Sequence, residues 1–457
     1  MTTDNPASSR RRSLAILGGG PAGLGAAHYA HQAGLPFLLV EAGAEVGGVC
    51  RTLRHGEFRF DSGAHRFLAA IPEVTAEIGR VMGERWRAIS APSQVRRRGR
   101  MIGFPIAPFD LYARLGKRVF ARAVLSYLGQ AARPRPAQDN FEAVAEAAYG
   151  PFLAREFLLN YSEKLWGLPC DRLSPAVAGK RLKGIDVRTF AFEALRGRKA
   201  TIEMQDGRFL YPYGGIGEIW PRLMAPFAPG SVRTGARVKG LRHDGVRIRA
   251  VELDGGEVLE PDHVICTLPL PDIVRMLAPA PAPAVLDPAR SLVFRSLRLV
   301  AFFLDKPGVT DNGTVYFPDA ELPFTRVYEP RNRDAAMAPV GATSLVAEVP
   351  CSAGEPLDQE PDGALLDRVQ AIFTDIGWIR RGEVLDRRVV RIPHAYPVLH
   401  KGVEGTVAPL LAHLERFENL TLTGRNARFE YTLIHDVIDQ GRRAVARLRE
   451  GAGPGRG

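Results

Sequence analysis

From Leu14 to Glu41 the chain reads LAILGGGPAGLGAAHYAHQAGLPFLLVE, an order of residues that few folds accommodate. Leu14 to Leu17 is a short, wholly apolar run ending at Gly18, the form of a central strand buried on both faces of a parallel sheet before a tight turn. Gly18, Gly20 and Gly23 follow the spacing G-x-G-x-x-G: the first allows the turn, the second lets backbone approach a pyrophosphate, and the third lets a helix lie close to the strand. Pro21 and Ala22 suit the first helical turn, where the missing proline N–H would be unpaired anyway, and Gly34 suits the helix end. The N-terminus of that helix presents N–H groups to an anion. Phe37 to Val40 reads as a second strand, with Glu41 at its end placed to accept hydrogen bonds from a ribose hydroxyl and to repel a phosphorylated ribose. Close helix–strand packing alone also selects glycine, but it does not ask for the acid. The expectation is a dinucleotide-binding βαβ unit.

The next stretch, EVGGVCRTLRHGEFRFDSGAHRF from Glu45 to Phe67, separates a flavin from a nicotinamide. It resembles the flavin amine oxidase and protoporphyrinogen oxidase superfamily, in which a Gly-Gly-x-x-R/T turn and then a D-x-G-x-H-like turn follow the acid. Gly47, Gly48, Arg51 and Thr52 match the first turn, and Asp61, Gly63 and His65 the second. The resemblance implies FAD, with Gly47, Gly48, Arg51, Thr52, Gly63, Ala64 and His65 in its site. The chemistry is consistent, since two glycines let backbone approach a diphosphate and Arg51 can neutralise it.

The same resemblance extends over nearly all of residues 13 to 447. Lys164 to Gly184, KLWGLPCDRLSPAVAGKRLKG, resembles a bacterial subgroup described as protoporphyrinogen-oxidase-like or UDP-galactopyranose-mutase-like, through Trp166, Gly167, Pro169, Cys170, Ser174, Arg181, Lys183 and Gly184. Tyr211, Pro212, Gly214, Gly215 and Gly217 match a Y-P-x-G-G-x-G loop, which implies Gly214 and Gly215 beside the cofactor. By the same token Val238 touches the adenine by backbone, Thr267 ends a strand beneath the cofactor, and Gly424, Arg425, Leu433 and Ile434 close the site. One departure stands out: the superfamily carries Y-N-N-x-D where this chain reads Tyr431-Thr-Leu-Ile-His435-Asp436.

The implied fold class is α/β. A Rossmann-like (GR2-type) FAD-binding domain is built from discontinuous segments, 13–70, 205–270 and 400–450. An α+β substrate-binding domain, 71–204 and 271–399, has a mainly antiparallel sheet and a helical part over 105–200. At 457 residues the chain exceeds one ordinary core, as this division requires. Residues 1–12, MTTDNPASSRRR, read as a disordered leader, and the Pro/Ala-rich stretch 277–288 as a linker.

Composition narrows the partners. A net charge of +11 invites an anionic one, yet only eight of the 61 basic residues are lysine, an arginine excess that coding bias produces. No aromatic-interleaved basic motif is present, so nucleic acid is not expected. Cys50, Cys170, Cys266 and Cys351 form no C-x-x-C pair, which speaks for reduced thiols and against a metal site. The absence of a secretory apolar core and of long apolar runs places the expected location in the cytoplasm. The basic stretch within 105–132 sets Leu111, Leu115, Val119, Ala123 and Leu125 near one face, with Arg114, Lys117, Arg118 and Arg122 on others. Packing on the domain explains it, and so does peripheral contact with a lipid headgroup layer.

Flavin brings its own redox centre, so the protein supplies binding, orientation and tuning. The candidates for contact with substrate are His65, Arg326, Tyr328, Arg391 and Tyr396, with Glu348 nearby; Arg66, His394 and His400 join His65 as groups able to handle a proton. The expected substrate is a small molecule, anionic or strongly polar, because a guanidinium grips a carboxylate or phosphate bidentately. Three function classes follow: an oxidase or dehydrogenase abstracting hydride, a mutase-like flavoenzyme without net oxidation, and a non-catalytic module like the GDP-dissociation inhibitors.

Overall fold

The computed structural model describes residues 13–104, 111–132, 137–179 and 208–450. The leader 1–12 and the subgroup positions Arg181, Lys183 and Gly184 lie outside the described residues, as does the beginning of the 105–132 stretch. The described residues divide between two compact units, one within Met1–Gly48, Trp220–Ser291 and Thr406–Gly457, the other within Val49–Ile219 and Leu292–Gly405. Residues 49–70 and the described part of 205–219, expected with the dinucleotide-binding domain, cluster with the second unit. The reason is a hydrogen-bond network within that unit, which ties them to Tyr328 and Asp334.

In the first unit Leu14–Leu17 is the middle strand of a five-stranded sheet ordered Leu420–Leu422, His263–Cys266, Leu14–Leu17, Phe37–Val40, Val232–Arg233. Every neighbouring pair is parallel, and Leu14–Leu17 is buried throughout, as its apolar run demands. The helix Pro21–Gln32 packs on this sheet and along the last helix, Ile434–Glu450. That crossing is close: a Cβ on Gly441 would stand 2.7 Å from the Ala26 nitrogen. The stretch expected as a linker instead holds a short strand, Leu277–Ala278, and the helix Pro283–Ser291, with proline in the first turn where it is tolerated.

The second unit carries a seven-stranded sheet ordered Val384–Pro397, Phe294–Leu304, Thr343–Cys351, Arg326–Tyr328, Thr314–Tyr316, Ser93–Arg97, Arg100–Phe104. Its pairs are antiparallel except Thr314–Tyr316 with Ser93–Arg97. The helix Asp362–Asp375 covers one face, where Leu365, Val369 and Phe373 pack with Val300, Phe302, Leu345 and Ala347. The other face carries the row Arg326, Glu348, Leu299 and Val390, one register step away. Phe141–Leu153 begins at Asn140, whose side chain accepts the Ala143 N–H at 2.8 Å, and bends at Gly150-Pro151. The four cysteines are buried and form no disulfide. Among the described residues no cluster of side chains could hold a metal ion, and no helix is long and apolar enough to cross a membrane.

Candidate functional site

In the first unit, backbone from separated segments converges on the start of the helix Pro21–Gln32, which no side chain caps. A Cβ on Gly23 would overlap the Gly18 carbonyl oxygen, and one on Gly18 would overlap the Thr267 hydroxyl. Thr267 fixes that wall, donating its N–H and its hydroxyl to the Leu17 carbonyl at 2.9 and 2.8 Å. Gly47 donates its N–H to the Gly19 carbonyl at 2.8 Å, laying the 47–48 turn on the glycine loop so that a Cβ on Gly48 would stand 3.0 Å from the Gly20 Cα. From the C-terminal side, a Cβ on Gly424 would come within 2.7 Å of the Ala22 Cβ. The concavity is therefore walled by main chain, with uncapped N–H groups of the helix start available to a diphosphate.

Glu41 is held rigidly at its rim. One carboxylate oxygen accepts the Gly19 N–H and the other the Gly43 N–H, each at 2.7 Å. Each oxygen keeps acceptor capacity for a hydroxyl donor. Val238 begins a buried strand in the same unit, opposite Leu253, and Arg425 is half-buried beside Gly424. Leu433, expected to help close the site, donates its N–H to the Asp436 carboxylate at 3.0 Å, a reach-back from the third residue of the last helix to the residue before it. Ile434 is buried at the first position of that helix.

The second unit is organised around Asp61. Its carboxylate accepts the Thr52 hydroxyl at 2.7 Å, the Ile216 N–H at 3.0 Å and the Tyr211 hydroxyl at 2.5 Å, while Arg333 lies 3.8 Å away. The Tyr328 hydroxyl donates to the Asp61 carbonyl. Burial pushes the Asp61 carboxyl above the usual carboxylate range, and Arg333 and the hydrogen bonds only partly oppose this. Burial likewise raises the Tyr211 and Tyr328 hydroxyls well above ordinary phenol. The Gly214 N–H is held by Asp334 at 2.5 Å and the Gly217 N–H by Thr52 at 2.9 Å, so the 211–217 loop is fixed by two buried carboxylates and a hydroxyl. A Cβ on Gly215 would overlap the Thr52 hydroxyl.

Along the sheet row, Glu348 is fully buried and accepts the Ala64 N–H at 2.7 Å and the Arg326 Nε–H at 2.6 Å. Burial opposes charge on Arg326, and Glu348 with the oxygens of Tyr396, Tyr161 and Tyr316 more than offsets it, holding the guanidinium firmly protonated. Its side chain is 14% exposed, with one Nη 3.4 Å from the Tyr396 hydroxyl. Tyr161 stands edge-on to Tyr316 at 5.7 Å, and Tyr396 to Trp166 at 5.8 Å, so Arg326 sits among flat aromatic surfaces. Lys164, from the same motif as Trp166, is half-buried and donates to the carbonyls of Phe317, Asp319 and Phe324 at 2.7 to 2.8 Å, fastening the loop between two strands of that sheet.

The structure thus brings Arg326, Glu348 and Tyr396 together and leaves other expected site residues elsewhere. Arg391 belongs to the opposite face: it pairs in register with Arg298, and its side chain, 51% exposed, meets Asp358 at 3.1 Å and Asp362 at 3.5 Å. A single step of strand alternation decides this. Tyr328 is buried with its hydroxyl bound to Asp61, so it supports the turn rather than meeting a ligand. His65 donates Nε2–H to the Val49 carbonyl at 2.7 Å and turns Nδ1 to the Cys50 sulfur at 3.9 Å, tying two turns together. Arg66 donates to Ser93 at 2.6 Å, His394 packs on Phe294 in a positive-φ position, and His400 Nδ1 bonds the Lys401 carbonyl at 3.0 Å. None of the three lies in the Arg326 cluster. Arg333, Asp334, Tyr161 and Tyr316 escaped sequence reasoning, because RNRDAAM reads as a polar loop and the tyrosines as ordinary core.

The residues of the first unit fit a flavin dinucleotide by their chemistry: a glycine turn in which a Cβ at Gly18 or Gly23 would overlap its neighbours, and an anchored ribose-type acid. In the second unit the Nε of Arg51 is buried with no partner. Comparison with known proteins agrees. Residues 190–449 match the family described as flavin containing amine oxidoreductase, and residues 16–77 an NAD(P)-binding Rossmann-like domain. The coproporphyrinogen III oxidase of Bacillus subtilis (strain 168) is 24% identical over 475 residues, covering 96% of this chain and 98% of that protein. The zeta-carotene-forming phytoene desaturase of Myxococcus xanthus is 26% identical over 397 residues, 78% of this chain and 76% of that one. In fold, the chain is similar to reduced UDP-galactopyranose mutase, with a TM-score of 0.84 at 21% identity, covering 97% of this chain and 96% of that structure.

Proposed function

From the premise that this chain belongs to the flavin containing amine oxidoreductase family and uses FAD, we propose that it abstracts hydride from a polar substrate, one that offers an anionic group to Arg326 and a flat apolar body to Tyr161, Tyr316 and Tyr396. The flavin, when bound, supplies the two-electron acceptor. The residues do the rest: Gly18, Gly20, Gly23, Gly47, Gly48 and Gly424 cradle the diphosphate, Glu41 holds the ribose, and Arg51 meets negative charge. The supporting observation is the state of Arg326. Glu348 engages Nε and leaves most of the guanidinium fork for a carboxylate. The likeness to a coproporphyrinogen III oxidase along nearly its whole length puts carboxylate-bearing porphyrinogens first in the panel to be tried.

Anaerobic mixing with porphyrinogens, amines and nucleotide sugars tests this reading: the true substrate bleaches the flavin absorbance. Conversion of a nucleotide sugar at one oxidation level, without bleaching, would instead favour the mutase-like reading. A protein that takes up no FAD on reconstitution would return the chain to the class of binding modules.

Arg326→Lys keeps a cation over Glu348 but loses the fork, so KM is expected to rise about tenfold, with kcat and FAD occupancy little changed and the effect shrinking at high salt. Methionine is the wrong probe, since it would strand the buried Glu348 charge. Normal KM in Arg326→Lys would move the anion site elsewhere. For the cofactor, Glu41→Ala is expected to weaken FAD binding by about 1.5 to 3 kcal/mol, the range for a charge-assisted hydrogen bond, in titrations of apoprotein. Unchanged affinity would place the ribose away from Glu41.

A further inference from the structure

The helix Lys117–Ala131 in the second unit has two apolar sides, and among the described residues only one is covered. Ala123 is buried, Val119, Phe120 and Tyr127 are half-buried, and the Ser126 hydroxyl accepts the Phe152 N–H at 3.1 Å from the neighbouring helix. On the opposite side Leu125 is 69% and Leu128 56% exposed, with Val124 beside them; Tyr112 in the preceding turn is 52% exposed with its ring edge-on to Phe120 at 5.8 Å. Four of the ten large apolar side chains exposed among the described residues therefore fall between positions 112 and 128, which makes a patch rather than scatter.

Its charge is one-sided. From Leu111 to Ala132 there are four cations, Arg114, Lys117, Arg118 and Arg122, and no carboxylate. Arg100 adds a fifth at the helix start, donating to the Arg114 carbonyl. On the exposed arc Val124, Leu128 and Leu125 are flanked by Arg118, whose long stem can lie along apolar surface while the head reaches an anion; Arg122, at the edge of the arc, turns its guanidinium over the Phe152 ring, 4.9 Å from the centroid. Whatever covers this face must be apolar beneath and negative at the rim. A nucleic acid would satisfy the arginines but not Leu125 and Leu128. A second copy docked about a twofold axis would set these cations against themselves. A bilayer of anionic phospholipid meets both demands, and a 15-residue helix that does not span is of a length to lie in its surface.

We propose that the 117–128 face docks the protein on anionic lipid surfaces, with Leu125, Leu128 and Val124 inserted among the acyl chains and Lys117 and Arg118 at the headgroups. The test is flotation of the FAD-loaded protein with vesicles of phosphatidylcholine alone and of phosphatidylcholine with phosphatidylglycerol. The protein should float with the anionic vesicles, weakly or not at all with the neutral ones, and lose binding as salt rises. The double variant Leu125→Glu/Leu128→Glu should stay in solution. Lys117→Glu/Arg118→Glu should lower the partition coefficient by about fivefold or more per position. All four side chains are exposed, so flavin absorbance and Tm should match the wild type and report intact folding. The proposal fails if the wild type ignores anionic vesicles at low salt, or if Leu125→Glu/Leu128→Glu floats as well as wild type. A concentration-dependent dimer that this double variant abolishes, with no vesicle binding, would assign the face to a second copy and overturn the lipid.

Discussion

Asp61→Ala is expected to cost about 3 to 5 kcal/mol of folding stability, enough to leave much of the protein unfolded at physiological temperature. The substitution strands the buried Arg333 guanidinium and removes the acceptor for Tyr211, Thr52 and the Ile216 N–H together, and of these Tyr211 and Ile216 are buried away from water. Asp61→Asn keeps the shape and part of the hydrogen bonding, and should lose less. Its pH dependence carries a sign. Because burial raises the folded-state pKa of Asp61, the folded protein holds this proton where the unfolded chain has released it. The group's contribution to stability is therefore present below its ordinary value of 3.8 and is lost as pH rises through the folded-state pKa. The stability gap between wild type and Asp61→Asn should shift towards the variant over that window, measured by denaturant unfolding at stepped pH; a gap that moves the other way would mean an ionised Asp61 is favoured by Arg333 more than burial opposes it.

Gly23→Val is expected to abolish FAD binding. The added Cβ would coincide with the Gly18 carbonyl oxygen, so the glycine turn must open before the helix can start, and the diphosphate loses its cradle. The second branch carbon worsens the overlap. Purified protein should be colourless, with FAD uptake reduced by at least about a hundredfold, while Gly34→Ala, where a Cβ meets nothing within 4 Å, retains the cofactor at a modest cost from its positive φ. A yellow Gly23→Val protein would show that the turn has slack the geometry denies.

The parts legible in the sequence are those where chemistry leaves one residue type able to serve. The glycine cradle, Glu41 and the parallel strand were readable because backbone proximity excludes a Cβ and a doubly buried strand excludes polar residues. Arg391 was not, since its face depends on the register of Val384–Pro397 against Phe294–Leu304, and no local pattern states a register. Leu125 was grouped with Ala123, yet residues two apart on a helix point nearly opposite ways, and the structure buries one and exposes the other. The bond from the Leu433 N–H to Asp436 was not legible, because the reach of Asp436 back over one turn is a matter of rotamer. The Asp61 network was half visible: its motif marked the aspartate, but Arg333 and Asp334 come from a loop without periodicity.

The five-stranded sheet has a consequence for how the protein is made. Leu14–Leu17 is made early relative to its partners on one side: its neighbour His263–Cys266 follows some 250 residues later, and the edge strand Leu420–Leu422 roughly 150 residues after that. At about 5 to 20 residues per second, the most apolar strand waits on the order of ten seconds or more without its full pairing. The helix Pro21–Gln32 waits longer for Ile434–Glu450. Folding of the first unit is thus dominated by contacts distant in sequence and cannot complete before Ile434–Glu450 has been made.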